Sequence, residues 1–155
     1  RNKINVPVIL MGYMNTVLQY GIEAFCTKCE QVGIDGVILP DLPLFEYETM
    51  YKGLFENHGL LNVFLVTPQT SDERIHKIDE ASEGFIYLVS SALKRIQGMS
   101  LKSNTVVGFN IKDKETFDTA CKYSNGAIIG SAFVKAIANS EDLNKDISSF
   151  VQTIK

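Results

Sequence analysis

Six strand-length apolar runs, bounded by Gly, Pro and Asn and separated by segments of helical spacing, restrict this chain to alternating β/α architectures. The runs are Val6 to Tyr13, Gly36 to Asp41, Asn62 to Thr67, Gly84 to Ser90, Thr105 to Asn110 and Gly126 to Ser131. They are rich in Val, Ile, Leu and Phe without clean alternation, as expected of strands covered on both faces in a parallel sheet. Their starts lie about 20–30 residues apart, the size of one β/α unit.

The intervening segments predict helices. Leu18, Ile22, Phe25, Cys29 and Val32 form one apolar stripe, and Met50, Leu54 and Leu61 a shorter, weaker one. Ser71, with Arg74, Ile75 and Ile78, marks another helix, with Ser71 or Thr70 as an N-cap before Asp72 and Glu73. A last helix is expected from about Asn139–Ser140, carrying Leu143, Ile147, Phe150 and Ile154. Two architectures fit six such units: an open doubly wound sheet, and a closed TIM (β/α)8 barrel of which they are roughly three quarters. Periodicity does not choose between them.

At 155 residues, with 45% hydrophobic content, the chain is long and apolar enough for one α/β domain over 1–155. Lys plus Arg number 15 against 18 for Asp plus Glu, a net charge of −3, so there is no basic surplus to hold nucleic acid. The apolar runs are too short to span a membrane. Three cysteines, an odd count, suit a reducing, cytoplasmic setting better than a disulfide framework. The first residue is Arg1, not Met, which predicts that the natural protein continues upstream.

In either architecture the chemistry belongs at the carboxyl ends of the strands. Those ends read Tyr13–Met14–Asn15, Pro40–Asp41–Leu42–Pro43, Thr67–Pro68–Gln69–Thr70, Ser90–Ser91, Gly108–Phe109–Asn110 and Gly130–Ser131. Gly108 and Gly130 allow close backbone approach to a ligand, and Ser131 adds a hydroxyl before the helical stretch Ala132–Ala136. Two adjacent loops of this kind suit a phosphate; small residues for a tight strand-to-helix turn give the same pattern. Neither GxGxxG nor GxxxxGK[ST] occurs. Asp41, bracketed by Pro40 and Pro43, is either a general acid or base or a cap on a stiff turn. Tyr87 reads as a core tyrosine. Cys26–Thr27–Lys28–Cys29 has CxxC spacing but falls mid-helix with no second Cys/His pair near, so no metal or redox role is assigned and Cys29 joins the core. Asp72–Glu73–Arg74 and Asp113–Lys114–Glu115 read as solvated first turns of helices.

The segments Pro7–Asn15, Asp35–Pro43, Gly84–Ser90, Val107–Ile111 and Gly126–Ala132, with Thr67–Ile75, resemble the tryptophan synthase alpha chain along the whole sequence and in the same order. The resemblance implies a TIM barrel of which this chain holds strands three to eight. It also implies retro-aldol cleavage of indole-3-glycerol phosphate to indole and glyceraldehyde 3-phosphate, a lyase step of tryptophan biosynthesis that needs no cofactor. The partner it implies is a beta chain, in an alpha2-beta2 heterotetramer. Carried over by position, Gly108, Phe109, Gly130 and Ser131 match phosphate-binding positions, Tyr13 and Tyr87 line the indole pocket, and Asn15 and Pro43, with Asp41 between the prolines, lie near the beta-chain interface.

The same resemblance implies departures. The family's catalytic Glu and Asp precede residue 1, so no catalytic residue is assigned within the chain. A Gly/Thr-rich lid is expected after Ser91, where Ala92-Leu-Lys-Arg-Ile already reads as helix. Asn110 stands where the family has Gly within Gly-Phe-Gly-Ile, placing a side chain that either crowds the phosphate or donates to it. Two other functions remain open: another phosphate-binding barrel isomerase or epimerase, and a non-catalytic alpha-type partner of a beta chain.

Overall fold

The computed structural model of the chain describes residues 3–155. β1 (Ile9–Met11) leads into α1 (Met14–Tyr20) and α2 (Ile22–Val32). After β2 (Gly36–Ile38) comes a helical segment in three parts: α3 (Leu44–Glu46), a π-helical turn (Tyr47–Tyr51) and α4 (Lys52–Asn57). β3 (Leu61–Val63) and β4 (Leu65–Val66) precede α5 (Asp72–Ala81), β5 (Phe85–Val89), a 3-10 turn (Ser90–Ala92) and α6 (Leu93–Ile96). β6 (Asn104–Gly108), α7 (Lys114–Cys121), β7 (Gly126–Ala127), α8 (Ser131–Ile137) and α9 (Leu143–Ile154) complete the order. Among the described residues no helix is long and apolar enough to cross a membrane.

The strands lie in two sheets, β1-β2-β3 and β4-β5-β6-β7, and the β1–β2, β2–β3 and β6–β7 ladders are parallel. Among the described residues, six apolar runs thus become seven strands. The run Asn62 to Thr67 divides at Phe64, which is buried with its ring edge-on to Tyr47, and its two halves join different sheets. An apolar run does not show which neighbour each half pairs with, nor that every position is covered: Val6, Leu10, Met11 and Tyr13 of the first run are exposed, which corrects the expected burial on both faces there.

The chain divides into two compact units, one running to Leu65 and resuming at Ser71–Ile86, the other made of Val66–Thr70 and Tyr87–Lys155. In the first, Val37, Phe55 and Ile75 are fully buried; in the second, Val66, Leu88 and Val107 are. Asp35 fastens the start of β2 to β1: its N–H donates to the Val8 carbonyl at 2.9 Å, and its Oδ2 accepts the Val8 N–H at 2.7 Å.

The expected helical stripe from Leu18 to Val32 is corrected. Gly21, at φ +96°, breaks the segment into α1 and α2, which re-aims everything after it. Leu18 and Val32 are exposed, and the buried positions are Met14, Val17, Cys26 and Cys29. Cys29 is core as expected, and Cys26 joins it, its thiol pushed up to about 11 by burial first and by Cys29 beside it second. Such thiols are poor nucleophiles.

The stripe Met50, Leu54, Leu61 is also overturned. Met50 is exposed and Leu61 belongs to β3, while Leu44, Tyr47 and Phe55 face inward. The cause is the π-helical turn, whose i→i+5 bonding adds a residue to the turn and shifts the inward face out of a 3.6-residue period. The N-cap at Ser71 holds, its Oγ accepting the Arg74 N–H at 3.3 Å, and Asp113 caps α7 in a reciprocal capping box with Thr116. The last helix starts at Leu143 under an Asp142 cap, three residues after Ser140, with Leu143 exposed and Ile154 buried.

Candidate active site

The ends of β6 and β7 leave the same edge of one sheet. Val107 pairs with Ala127, and the Ile128 N–H donates to the Val107 carbonyl at 2.7 Å, which carries Phe109–Asn110 and Gly130–Ser131 out side by side. Beyond Gly108 the backbone turns left-handed at two successive residues, Phe109 at φ +69° and Asn110 at φ +59°. Phenylalanine is rarely found there, whereas asparagine is among the side chains that tolerate it. Among the described residues, no acceptor pairs with the backbone N–H of Phe109 or of Asn110.

Tyr87, from β5, holds this turn from within. It is 6% exposed, and its ring stacks on Phe109 with centroids 5.9 Å apart and planes 12° from parallel. The same ring fills the space above Gly108, where a Cβ would collide with it, so glycine is required by close approach. Burial raises the Tyr87 hydroxyl above the usual tyrosine range, keeping it protonated. Phe109 is 52% exposed, which leaves aromatic surface available outside the pair. A cleft of about 280 Å³ adjoins the turn, lined by Leu93, Phe109, Asn110, Ile111, Glu115 and Thr119 among others. Gly130 precedes α8, with open space where a Cβ would stand, and Ser131 is the helix's exposed first residue.

The remaining candidates sit in the first unit. Tyr13 is exposed at the N-cap of α1, Asn15 is exposed in its first turn, and Pro43 precedes α3. Asp41 Oδ1 accepts the Met14 N–H at 2.8 Å. It thus does at the far end of β2 what Asp35 does at the near end, and it satisfies an orphan donor of α1 that the Tyr13 side chain leaves uncapped. The structure gives Asp41 a bond that neither sequence reading named: it caps the start of α1, across from its own turn. Asp41→Ala is therefore expected to destabilise the chain by about 1–2 kcal/mol and Asp41→Asn by less, since an amide oxygen still accepts. Urea unfolding midpoints check this, and equal losses in the two variants would contradict it.

Sequence reasoning missed two features. Arg95, inside the stretch that reads as helix after Ser91, donates from Nη1 to the Pro68 carbonyl at 2.5 Å and ties that turn to the end of β4. The left-handed conformation of Phe109 had no signal at all, because nothing in a Phe predicts it; at Asn110 the residue type itself was a signal.

The family model described as tryptophan synthase alpha chain matches residues 1–154. The tryptophan synthase alpha chain of Christiangramia forsetii is 52% identical over 171 residues, covering 100% of this chain and 66% of the relative. That of Bacteroides thetaiotaomicron is 40% identical over 171 residues, covering 100% and 67%. Among solved structures, the tryptophan synthase A-subunit of Pyrococcus furiosus superimposes with a TM-score of 0.85 at 28% identity, over 99% of this chain and 68% of that one. The tryptophan synthase complex from the same organism gives 0.86 at 29%.

The chain thus spans about two thirds of the length of the relatives it matches. The matched stretch is 171 positions for 155 residues, so at least 16 positions of the relative within it have no counterpart here. Of the two architectures, the parallel β/α units are those of a partial (β/α)8 barrel. With the match running from end to end, this chain belongs to the tryptophan synthase alpha chain family.

Proposed function

We propose that this chain takes part in the retro-aldol cleavage of indole-3-glycerol phosphate to indole and glyceraldehyde 3-phosphate, and that its own residues contribute the substrate's phosphate site and part of its indole site. The observation that carries this reading is the left-handed Phe109–Asn110 turn beside Gly130–Ser131, in a chain of the alpha family. Backbone N–H groups with no acceptor among the described residues, at a strand end, suit a phosphate, and the exposed face of Phe109, backed by Tyr87, suits a flat indole.

Cleavage breaks the bond between indole C3 and the glycerol chain: a proton arrives at that carbon and another leaves the glycerol hydroxyl. The resemblance gives those transfers to carboxylates that precede Arg1 in the family's order. The residues here bind and orient: the loops hold the phosphate end, and the Tyr87–Phe109 pair holds the ring. Asp41 takes a structural role in this reading, its Oδ1 accepting the Met14 N–H. The partner is a beta chain, met near Asn15, Asp41 and Pro43, and the setting is the cytoplasm.

Isothermal titration with inorganic phosphate and with indole-3-glycerol phosphate tests the reading. Saturable binding of both is expected, with Ser131→Ala weakening phosphate at least tenfold through loss of a charge-assisted hydrogen bond worth about 1.5–3 kcal/mol. Binding of indole-3-glycerol phosphate that survives Ser131→Ala unchanged would refute the phosphate assignment.

A further inference from the structure

Asn110 stands where the alpha-family pattern of this loop has glycine, and the structure shows it doing what glycine does: it takes φ +59° directly after a residue already at φ +69°. Two consecutive left-handed residues are unfavourable for ordinary L-amino acids. Each is held here by a different means. Phe109 is fixed from outside, by the ring of Tyr87 stacked at 5.9 Å, which in turn rests on the bare backbone of Gly108. Asn110 has no such clamp. Its side chain makes no hydrogen bond among the described residues, and the cleft it lines runs along α7 with Leu93, Ile111, Glu115 and Thr119.

Glu115 lines the same cleft, and a carboxylate there disfavours an anion within it. What remains is the residue's own backbone preference: asparagine enters the left-handed region far more readily than alanine does, and ranges less freely than glycine.

We infer that Asn110 is a positioning residue, which presets the left-handed turn and so aims the backbone N–H groups of Phe109 and of Asn110 itself, without its side chain touching the bound anion. The inference rests on the proposed phosphate site for its functional consequence, but the conformational part stands on the turn alone. It implies that the departure from glycine neither crowds the phosphate nor adds a ligand to it. It stiffens the loop that receives it.

Asn110→Gly and Asn110→Ala, made in the full chain, separate the possibilities. With inorganic phosphate as the probe, followed by amide NMR shifts, Asn110→Gly is expected to stay within about threefold of the parent, while Asn110→Ala loses at least tenfold. A side chain that contacted the anion would be lost equally in both, so Ala and Gly variants weakened to the same extent would overturn the inference. Thermal unfolding without ligand reads the turn itself: Asn110→Gly is expected to unfold above Asn110→Ala, and the reverse order would overturn it as well. If the parent chain binds no phosphate, the proposed site fails, and the unfolding order still decides whether Asn110 sets the turn.

Discussion

Gly108→Ala is expected to lower the unfolding temperature by roughly 3–10 °C and to weaken phosphate binding at least tenfold. The new Cβ has nowhere to go: the Tyr87 ring occupies that volume, and the ring is buried and stacked on Phe109, so it cannot swing clear without leaving its partner. Overpacking of this kind costs about 1–3 kcal/mol, and a chain of this size loses about 2–4 °C of Tm for each kcal/mol. The binding loss follows by a second route. Any shift of Tyr87 removes the clamp on Phe109, and the left-handed turn then relaxes toward ordinary β geometry, carrying its N–H groups off the anion.

A double-mutant cycle separates this mechanism from general disruption. Tyr87→Ala alone opens a cavity and is destabilising; with the ring gone, however, Gly108→Ala meets empty space. The second substitution should therefore cost little on the Tyr87→Ala background, an interaction energy of about 1–3 kcal/mol. Strict additivity of the two losses would show that the ring is not what excludes a side chain at position 108.

The strand-and-helix alternation was legible because strands of a parallel sheet leave unbroken apolar runs; the expected cover on both faces is met by β2, buried along its length, and not by β1, whose Leu10 and Met11 are exposed. Helix faces were less legible. The stripe through Leu18 and Val32 assumed one uninterrupted helix, and Gly21 ends it; the stripe through Met50 assumed a 3.6-residue period, and a π-helical turn replaces it. Both errors concern phase, which depends on how many residues each turn contains. Within the site, Gly108 and Gly130 could be singled out because glycine at a strand end marks a close approach. Asp41 could not be resolved, since a carboxylate that fastens a neighbouring strand and one that moves a proton look alike until its acceptor role toward Met14 is seen. Phe109 was noted only through the resemblance. Its conformation is imposed by Tyr87, 22 positions away in the chain, and no local pattern carries that information.

Phe55→Ala is expected to cost about 3–5 kcal/mol, and Phe45→Ala less than about 0.5 kcal/mol, although both phenylalanines belong to the same helical segment. The π-helical turn between them decides the difference. Phe55 is 0% exposed, edge-on to Tyr47 at 6.0 Å, and Tyr47 in turn meets Phe64 at 5.2 Å, so one ring links α4 to the break between β3 and β4. Its carbonyl also accepts the Leu60 N–H at 2.9 Å, which places Phe55 at the turn that feeds β3. Phe45 is 74% exposed, and truncating it removes surface that water already touches. Chemical unfolding of the two variants measures the contrast directly. A comparable loss at both positions would mean that Phe45 is buried too, and that Leu44, Tyr47 and Phe55 do not alone define the inward face of this segment.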